Sequence, residues 1–153
     1  MQKISNCLWF DGQAEEAAKF YVSVFRNSKV KQITHYGDTG PGKKGSVMTV
    51  AFELDGVEFL ALNAGPDFKF NHAISLMVNC RTQAEIDEMW VKLSDGGATE
   101  VCGWLRDKYG LSWQIVPAIL PELMKDPAKT DNVMREVVKM TKLDIATMQK
   151  AAA

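Results

Sequence analysis

At 153 residues the chain is long enough to bury a core as one domain or two tightly fused half-domains. Eighteen Lys+Arg against 19 Asp+Glu leave a formal net charge of −1, which argues against a polyanion-binding surface and therefore against nucleic acid as a partner. The opening run MQKISNCLWFDG carries one lysine and a short apolar stretch broken by Asp11, neither a secretory core nor a bilayer span, so a cytoplasmic protein without membrane association is expected. Cys7, Cys80 and Cys102 are odd in number and widely spaced, with no C-x-x-C pair, and read as buried reduced thiols rather than a disulfide framework or zinc site.

Residues 4–10 form an apolar and aromatic strand that stops at Asp11-Gly12. Ala14, Ala17, Ala18, Tyr21, Val24 and Phe25 then recur at three-and-four spacing, one apolar face of a helix, with Glu15, Glu16 and Lys19 on the other side. Strands follow at 30–36, 46–54 and 57–63, the last two joined by the tight hairpin signal Asp55-Gly56. Residues 64–71, AGPDFKFN, read as a linker, and 73–80 as another apolar strand. Ile86, Met89, Trp90 and Leu93 define a second helix, ended by Asp95-Gly96-Gly97. Short strands fit 99–102, 104–107 and 111–116. Beyond Pro117, the spacing of Leu120, Leu123 and Met124, then of Val133, Val137 and Met140, predicts short amphipathic helices.

The strongest signal is internal. With Ile4 set on Ile74, Ser5 meets Ser75, Gln13 meets Gln83, Ala14 meets Ala84 and Glu15 meets Glu85, five identities at one offset. Residues 56–62 lie on 110–116 once loops are allowed to differ, so Leu60 corresponds to Gln114. Both segments carry the same order of elements. The expectation is an α+β chain of two β-α-β-β-β modules (3–63 and 72–117) joined by a linker at 64–71, followed by a helical tail at 118–153.

These features resemble the vicinal oxygen chelate superfamily of glyoxalase I, extradiol dioxygenases and bleomycin-resistance proteins. The runs LWFDGQAEEAAKFY, GSVMTVAFELDG, FLALNAGPDFKFN and CGWLRDKYGLSWQIVP are similar to its PhnB-like branch, over residues 3 to about 145. Members of that branch are often labelled 3-demethylubiquinone-9 3-methyltransferase domains. The resemblance implies a curved mixed sheet enclosing a cup, a single glyoxalase-like domain over 1–153, and a homodimer. It also implies four inward-facing metal ligands, which fall near Ser5, Leu60, Ser75 and Gln114 in this sequence. Leucine cannot ligate, serine hydroxyls are poor donors at neutral pH, and glutamine is weaker than glutamate, so no metal cofactor is expected. His72, beside the second module's first strand, is the residue that a register slip would bring into a ligand set with Gln114. His35 has no carboxylate or thiol at ligand spacing and reads as a strand-surface residue.

Strand alternation places Ser5, Cys7 and Trp9 on the cup side of the first strand, if Ile4, Leu8 and Phe10 face the helix, and Ser75, Met77 and Asn79 on that side of the second module. Gln114 joins them, with Trp113 opposite. This mixture of an aromatic, soft sulfur and neutral polar groups suits an apolar small molecule, and equally the filling of a small barrel. The reading is a small-molecule binding protein of unknown physiological function. Its rivals are a metal-dependent lyase, isomerase or dioxygenase, and the methyltransferase of the family label. Against the last, the glycines cluster in GDTGPGKKG at 37–45, where Lys44 stands in place of the phosphate-loop hydroxyl and a strand pattern follows.

Overall fold

The structure is a computed structural model that describes residues 2–153. The described residues divide into two compact units, 2–70 and 71–153. Each carries a four-stranded mixed sheet, the architecture that the repeat predicts. Among the described residues no helix is long and apolar enough to cross a membrane.

Unit 1 runs β1 (Asn6–Phe10), α1 (Ala14–Val24), β2 (Lys29–His35), β3 (Val47–Leu54) and β4 (Val57–Asn63), with sheet order β1-β4-β3-β2. β1 is parallel to β4 and the other pairs are antiparallel. Asp55 and Gly56 both have positive φ, 44° and 83°, the geometry a two-residue hairpin requires and the reason an Asp-Gly pair sits there. α1 buries Ala14, Ala17, Ala18, Tyr21 and Val24, and the three alanines let the helix approach the sheet. Beneath it lie Leu8, Phe10, Val50, Phe52, Leu54, Phe59 and Ala61, with the Tyr21, Phe52 and Phe59 rings stacked in sequence. Gln13 makes no side-chain cap for α1. Asn63 on β4 does so from a distance: its Oδ1 accepts from Ala14 N–H at 2.9 Å, and its Nδ2 donates to Val47 O at 3.1 Å.

Unit 2 repeats the plan: β5 (Ser75–Cys80), α2 (Gln83–Ser94), β6 (Ala98–Thr99), β7 (Trp104–Arg106) and β8 (Ser112–Pro117), in sheet order β5-β8-β7-β6 with β5 parallel to β8. Thr82 caps α2 through the Glu85 N–H at 3.2 Å. The tail forms α3 (Leu120–Leu123), α4 (Pro127–Val137) and α5 (Ile145–Ala151). Its Val133, Val137, Leu143, Met148 and Ala152 make a common core with Val116 of β8, so the tail belongs to this unit. Gln83 holds it, accepting from Ile145 N–H at 2.9 Å and donating to Leu143 O at 3.1 Å, whereas its repeat partner Gln13 is exposed.

Four local expectations shift. Ile4 is 86% exposed and precedes β1, so it does not face the helix. β5 begins at Ser75 because the Asn71 side chain accepts from Ala73 N–H at 2.8 Å and turns the chain first. The strand expected at 99–102 is reduced to two residues, since Cys102 takes φ 59° and the N–H groups of Cys102 and Gly103 donate to Met140 and Thr141 of the tail, both at 2.8 Å. Residues 64–70 are packed rather than loose: Phe68 lies edge-on to Trp9 at 4.9 Å, Phe70 to Phe10 at 5.3 Å, and Trp9 Nε1 donates to Gly65 O at 2.8 Å.

Candidate functional site

Strand register places the repeat-derived residues in equivalent positions. Cys7 pairs with Leu60 in unit 1 and Met77 with Gln114 in unit 2, so the 70-residue offset and the looser correspondence of Leu60 with Gln114 describe one geometry. Residues directly opposite in a ladder share a face. The face of unit 1 turned away from α1 therefore carries Cys7, Trp9, Leu60, Leu62, Ala51 and Thr49. A cleft of about 500 Å³ on this unit is lined by Ser5, Lys31, Gln32, Ala51, Glu58 and Leu60, among others. Glu58 accepts from the Gln2 backbone N–H at 2.8 Å and from Lys31 Nζ at 2.9 Å, and Glu53 lies 3.9 Å from the same ammonium. The Gln2 bond first, then Lys31, lowers the Glu58 pKa, while the Glu58 bond raises that of Lys31, so each holds the other charged. Trp9, which with Cys7 lies on β1 while Ser5 just precedes it, is half-buried against residues 64–70.

The corresponding face of unit 2 is polar. Ser75, Met77 and Asn79 lie along β5, Asn79 opposite Val116, and Gln114 Nε2 donates to Ser75 Oγ at 3.0 Å. One transverse row runs Met77, Gln114, Trp104, with Glu100 next, its N–H donating to Trp104 O at 2.9 Å. The adjoining row is Ser75, Ser112, Arg106. His72 reaches this cluster from before β5: its Nε2 lies 2.7 Å and 3.1 Å from the Glu100 carboxylate oxygens, and its ring centroid 6.2 Å from that of Trp104. Arg106 Nε approaches Glu100 at 3.3 Å. Ser112 is fully buried, and its Oγ has no partner among the described residues, which costs about 1–3 kcal/mol. Trp113 points to the opposite face with Leu76 and Leu105, its Nε1 donating to Asp107 Oδ2 at 2.8 Å.

The donor set at the superfamily's ligand positions does not fit a divalent ion. Leu60 offers no donor atom, and Ser75 Oγ already accepts from the Gln114 amide. His72 spends Nε2 on Glu100 and stands outside β5. Among the described residues no group of three or more His, Cys, Asp and Glu side chains could hold a metal. His35 is exposed at the end of β2.

Residues 37–45 connect β2 to β3 as a hairpin loop, closed by Tyr36 N–H to Ser46 O and Gly45 N–H to Tyr36 O, both at 2.8 Å. A helix does not follow, so the backbone N–H convergence of a phosphate loop is not formed. Gly42 lies against the Tyr36 ring, where an added Cβ would stand 2.1 Å from ring carbons, and this explains one of the loop's glycines by packing. A cleft of about 430 Å³ beside the loop is lined in part by Asp11, Glu15, Tyr36, Gly42 and Asn63.

None of the three thiols is in a disulfide. Of the three thiols expected to be buried only Cys80 is, Cys7 being exposed and Cys102 half-buried. Burial, with Glu85 adding repulsion, pushes the Cys80 pKa up to about 11, and partial desolvation raises that of Cys7. A thiol held that far above its ordinary range is almost wholly protonated at pH 8. Labelling of the native protein with a thiol reagent at pH 8 should therefore modify Cys7 well before Cys80; peptide mapping that finds Cys80 labelled first would contradict its burial.

The profile of the 3-demethylubiquinone-9 3-methyltransferase family matches residues 2–116. Among solved structures, the PhnB protein of Bacillus cereus is 42% identical, covering 76% of this chain and 100% of its own, with a TM-score of 0.70. Protein PA1353 from Pseudomonas aeruginosa (19% identity, 75% and 96% coverage, TM-score 0.62) and the fosfomycin resistance protein FosX from Listeria monocytogenes (12%, 82% and 98%, 0.59) share the fold. No curated protein matches. With two β-α-β-β-β units in place and a profile match over most of its length, the chain belongs to the PhnB-like, 3-demethylubiquinone-9 3-methyltransferase family of the vicinal oxygen chelate fold.

Proposed function

We propose that this protein binds a small organic molecule without a resident metal. The observation that carries the reading is the pair of repeat-equivalent ladder positions, Leu60 in one unit and a Gln114 committed to Ser75 in the other, where metal-dependent relatives would need donors. The candidate contact residues are Ser5, Cys7 and Trp9 on unit 1 and Ser75, Met77, Asn79 and Gln114 on unit 2. A homodimer in the cytoplasm completes the proposal. β1 and β5 are edge strands with exposed apolar residues beside or on them, Ile4, Ile74 and Met77, which a second copy would cover.

Two other activities have a specific observation behind them. FosX from Listeria has been seen complexed with Mn(II), which favours a metal-dependent lyase, isomerase or dioxygenase. In this chain that would require His72 to leave Glu100 and join Gln114. The family description favours methyl transfer to a demethylated quinone. Against it, the first strand-to-helix turn here is Asp11-Gly12-Gln13, acidic and with one glycine, a poor cradle for a nucleotide-derived methyl donor; calorimetric titration of that donor is expected to show no heat of binding.

Metal analysis of protein purified without chelator or histidine tag, followed by a melting screen against Mn²⁺, Zn²⁺ and Ni²⁺, tests the main reading. Far less than one metal per chain and a midpoint moved by less than about 1 °C are expected, since an ion that binds only the folded state must raise it. Near-stoichiometric metal, or a shift of several degrees that His72→Ala abolishes, would replace this reading with the enzyme.

A further inference from the structure

We infer that the strand face of unit 2 selects an organic oxyanion, a carboxylate or a phosphate ester, with Arg106 as its anchor and Trp104 and Met77 as the platform for its apolar body. This rests on the small-molecule reading and names the ligand class.

The argument begins with unspent donors. The Arg106 guanidinium uses Nε on Glu100, and its two Nη groups make no hydrogen bond among the described residues. Trp104 Nε1 is likewise unpaired there, and the Ser75 hydroxyl accepts from Gln114 with its own proton still to donate. Three donor groups on one sheet face, the Arg106 Nη pair, the Trp104 indole and the Ser75 hydroxyl, with the full positive charge of Arg106 among them, match a ligand rich in acceptor oxygens. A guanidinium fork meets a carboxylate or phosphate through two parallel N–H bonds, which fixes orientation as well as charge.

The comparison of the two units sharpens this. The ladder position held by Arg106, opposite Ser112, is held in unit 1 by Glu53, opposite Glu58; that of Trp104, opposite Gln114, is held by Ala51, opposite Leu60. In unit 1 the single lysine at the site, Lys31, is committed to both glutamates. The repeat thus reverses charge at one position and exchanges a methyl for an indole at the next, leaving unit 2 with the cation and the aromatic surface together. Glu100 sits beside Arg106 as a resident counter-ion. It keeps the guanidinium in place and competes with any incoming anion.

A matched series tests the charge requirement directly: benzoate, phenyl phosphate and the neutral benzamide, titrated into the full chain while the Trp104 indole N–H resonance is followed, with Trp104→Phe to assign it. Benzoate or phenyl phosphate should shift that resonance more weakly as salt rises, and the stronger of the two identifies the head group. Arg106→Gln should weaken binding at least ten-fold with the circular dichroism unchanged, while Glu100→Gln should strengthen it several-fold by removing the competing carboxylate. Benzamide binding as well as benzoate, or titrations indifferent to Arg106→Gln, would overturn the inference. If none of the three binds yet neutral apolar compounds raise the melting midpoint, the oxyanion assignment falls and the binding reading stands; stoichiometric metal would remove the binding reading on separate grounds.

Discussion

Replacing Gly97 with alanine is expected to cost about 3 kcal/mol or more, against about 1 kcal/mol for the same change at Gly96 or Gly110. The three glycines lie in one unit and differ in what constrains them. A Cβ on Gly97 would stand 2.1 Å from the Arg106 carbonyl oxygen and 2.7 Å from the Asp107 carbonyl carbon. Both obstacles are backbone, so no rotamer change relieves the clash, and the chain after α2 must separate from β7. The Gly97 N–H to Ser94 O bond at 2.9 Å, which closes the helix end, would be strained in the same movement. Gly96, by contrast, has φ +74° and meets the Lys108 side chain at 3.2 Å, which can swing away; Gly110 has φ +86° and open space around it. Their cost is the conformational one alone. Urea unfolding of the three variants should rank Gly97→Ala far below the others. A Gly97→Ala midpoint near wild type would mean that the close approach to β7 is wrong. Because Arg106 sits at that contact, the same variant should also lose benzoate binding wherever it remains folded.

Gly96-Gly97 shows how far the sequence could be read. A pair of glycines after an amphipathic helix announces a terminus, and the terminus is there, but the close packing against residue 106 has no local signature. The hairpin at Asp55-Gly56 was fully legible because its cause lies in the two residues themselves. The repeat carried the topology for a similar reason: strand, helix and turn chemistry are encoded within each half. What escaped was whatever depends on distant partners. Asn63 reads as the end of a strand, yet it caps a helix that starts 49 residues earlier. The strand expected at 99–102 was cut short by hydrogen bonds with Met140 and Thr141, beyond the reach of any local pattern. The polar cluster of the candidate site is of this kind as well. His72 drew attention as a stray imidazole, but Glu100 and Arg106 lay in a segment read only for strands. The signal that could have found them is the ladder itself, which sets Arg106 where the other unit has Glu53.

The second large effect belongs to Asp107, expected to end the short strand at 104–107. It is only 3% exposed and serves instead as the anchor of the β7–β8 turn. Its carboxylate accepts from Tyr109 N–H at 2.8 Å, Leu111 N–H at 3.1 Å and Trp113 Nε1 at 2.8 Å, and its own N–H donates to Leu111 O at 2.9 Å. Asp107→Ala removes the acceptor that three N–H groups share, two of them on buried residues, and is expected to destabilise the protein by about 3–5 kcal/mol. Asp107→Asn keeps one carbonyl oxygen but turns an N–H toward a donor, so about half that loss is expected. A double-mutant cycle separates the missing bonds from the missing charge. Trp113→Phe removes the indole donor, so adding it to Asp107→Ala should cost less than it does in wild type, with a coupling of about 1 kcal/mol or more measured by denaturant unfolding. Strict additivity would show that the indole bond adds nothing to the turn. Since this turn sets the register of β7 against β8, a large Asp107 effect also bears on function: the register that pairs Arg106 with Ser112 and Trp104 with Gln114 is held in place from beneath the sheet, by a carboxylate that never touches the ligand face.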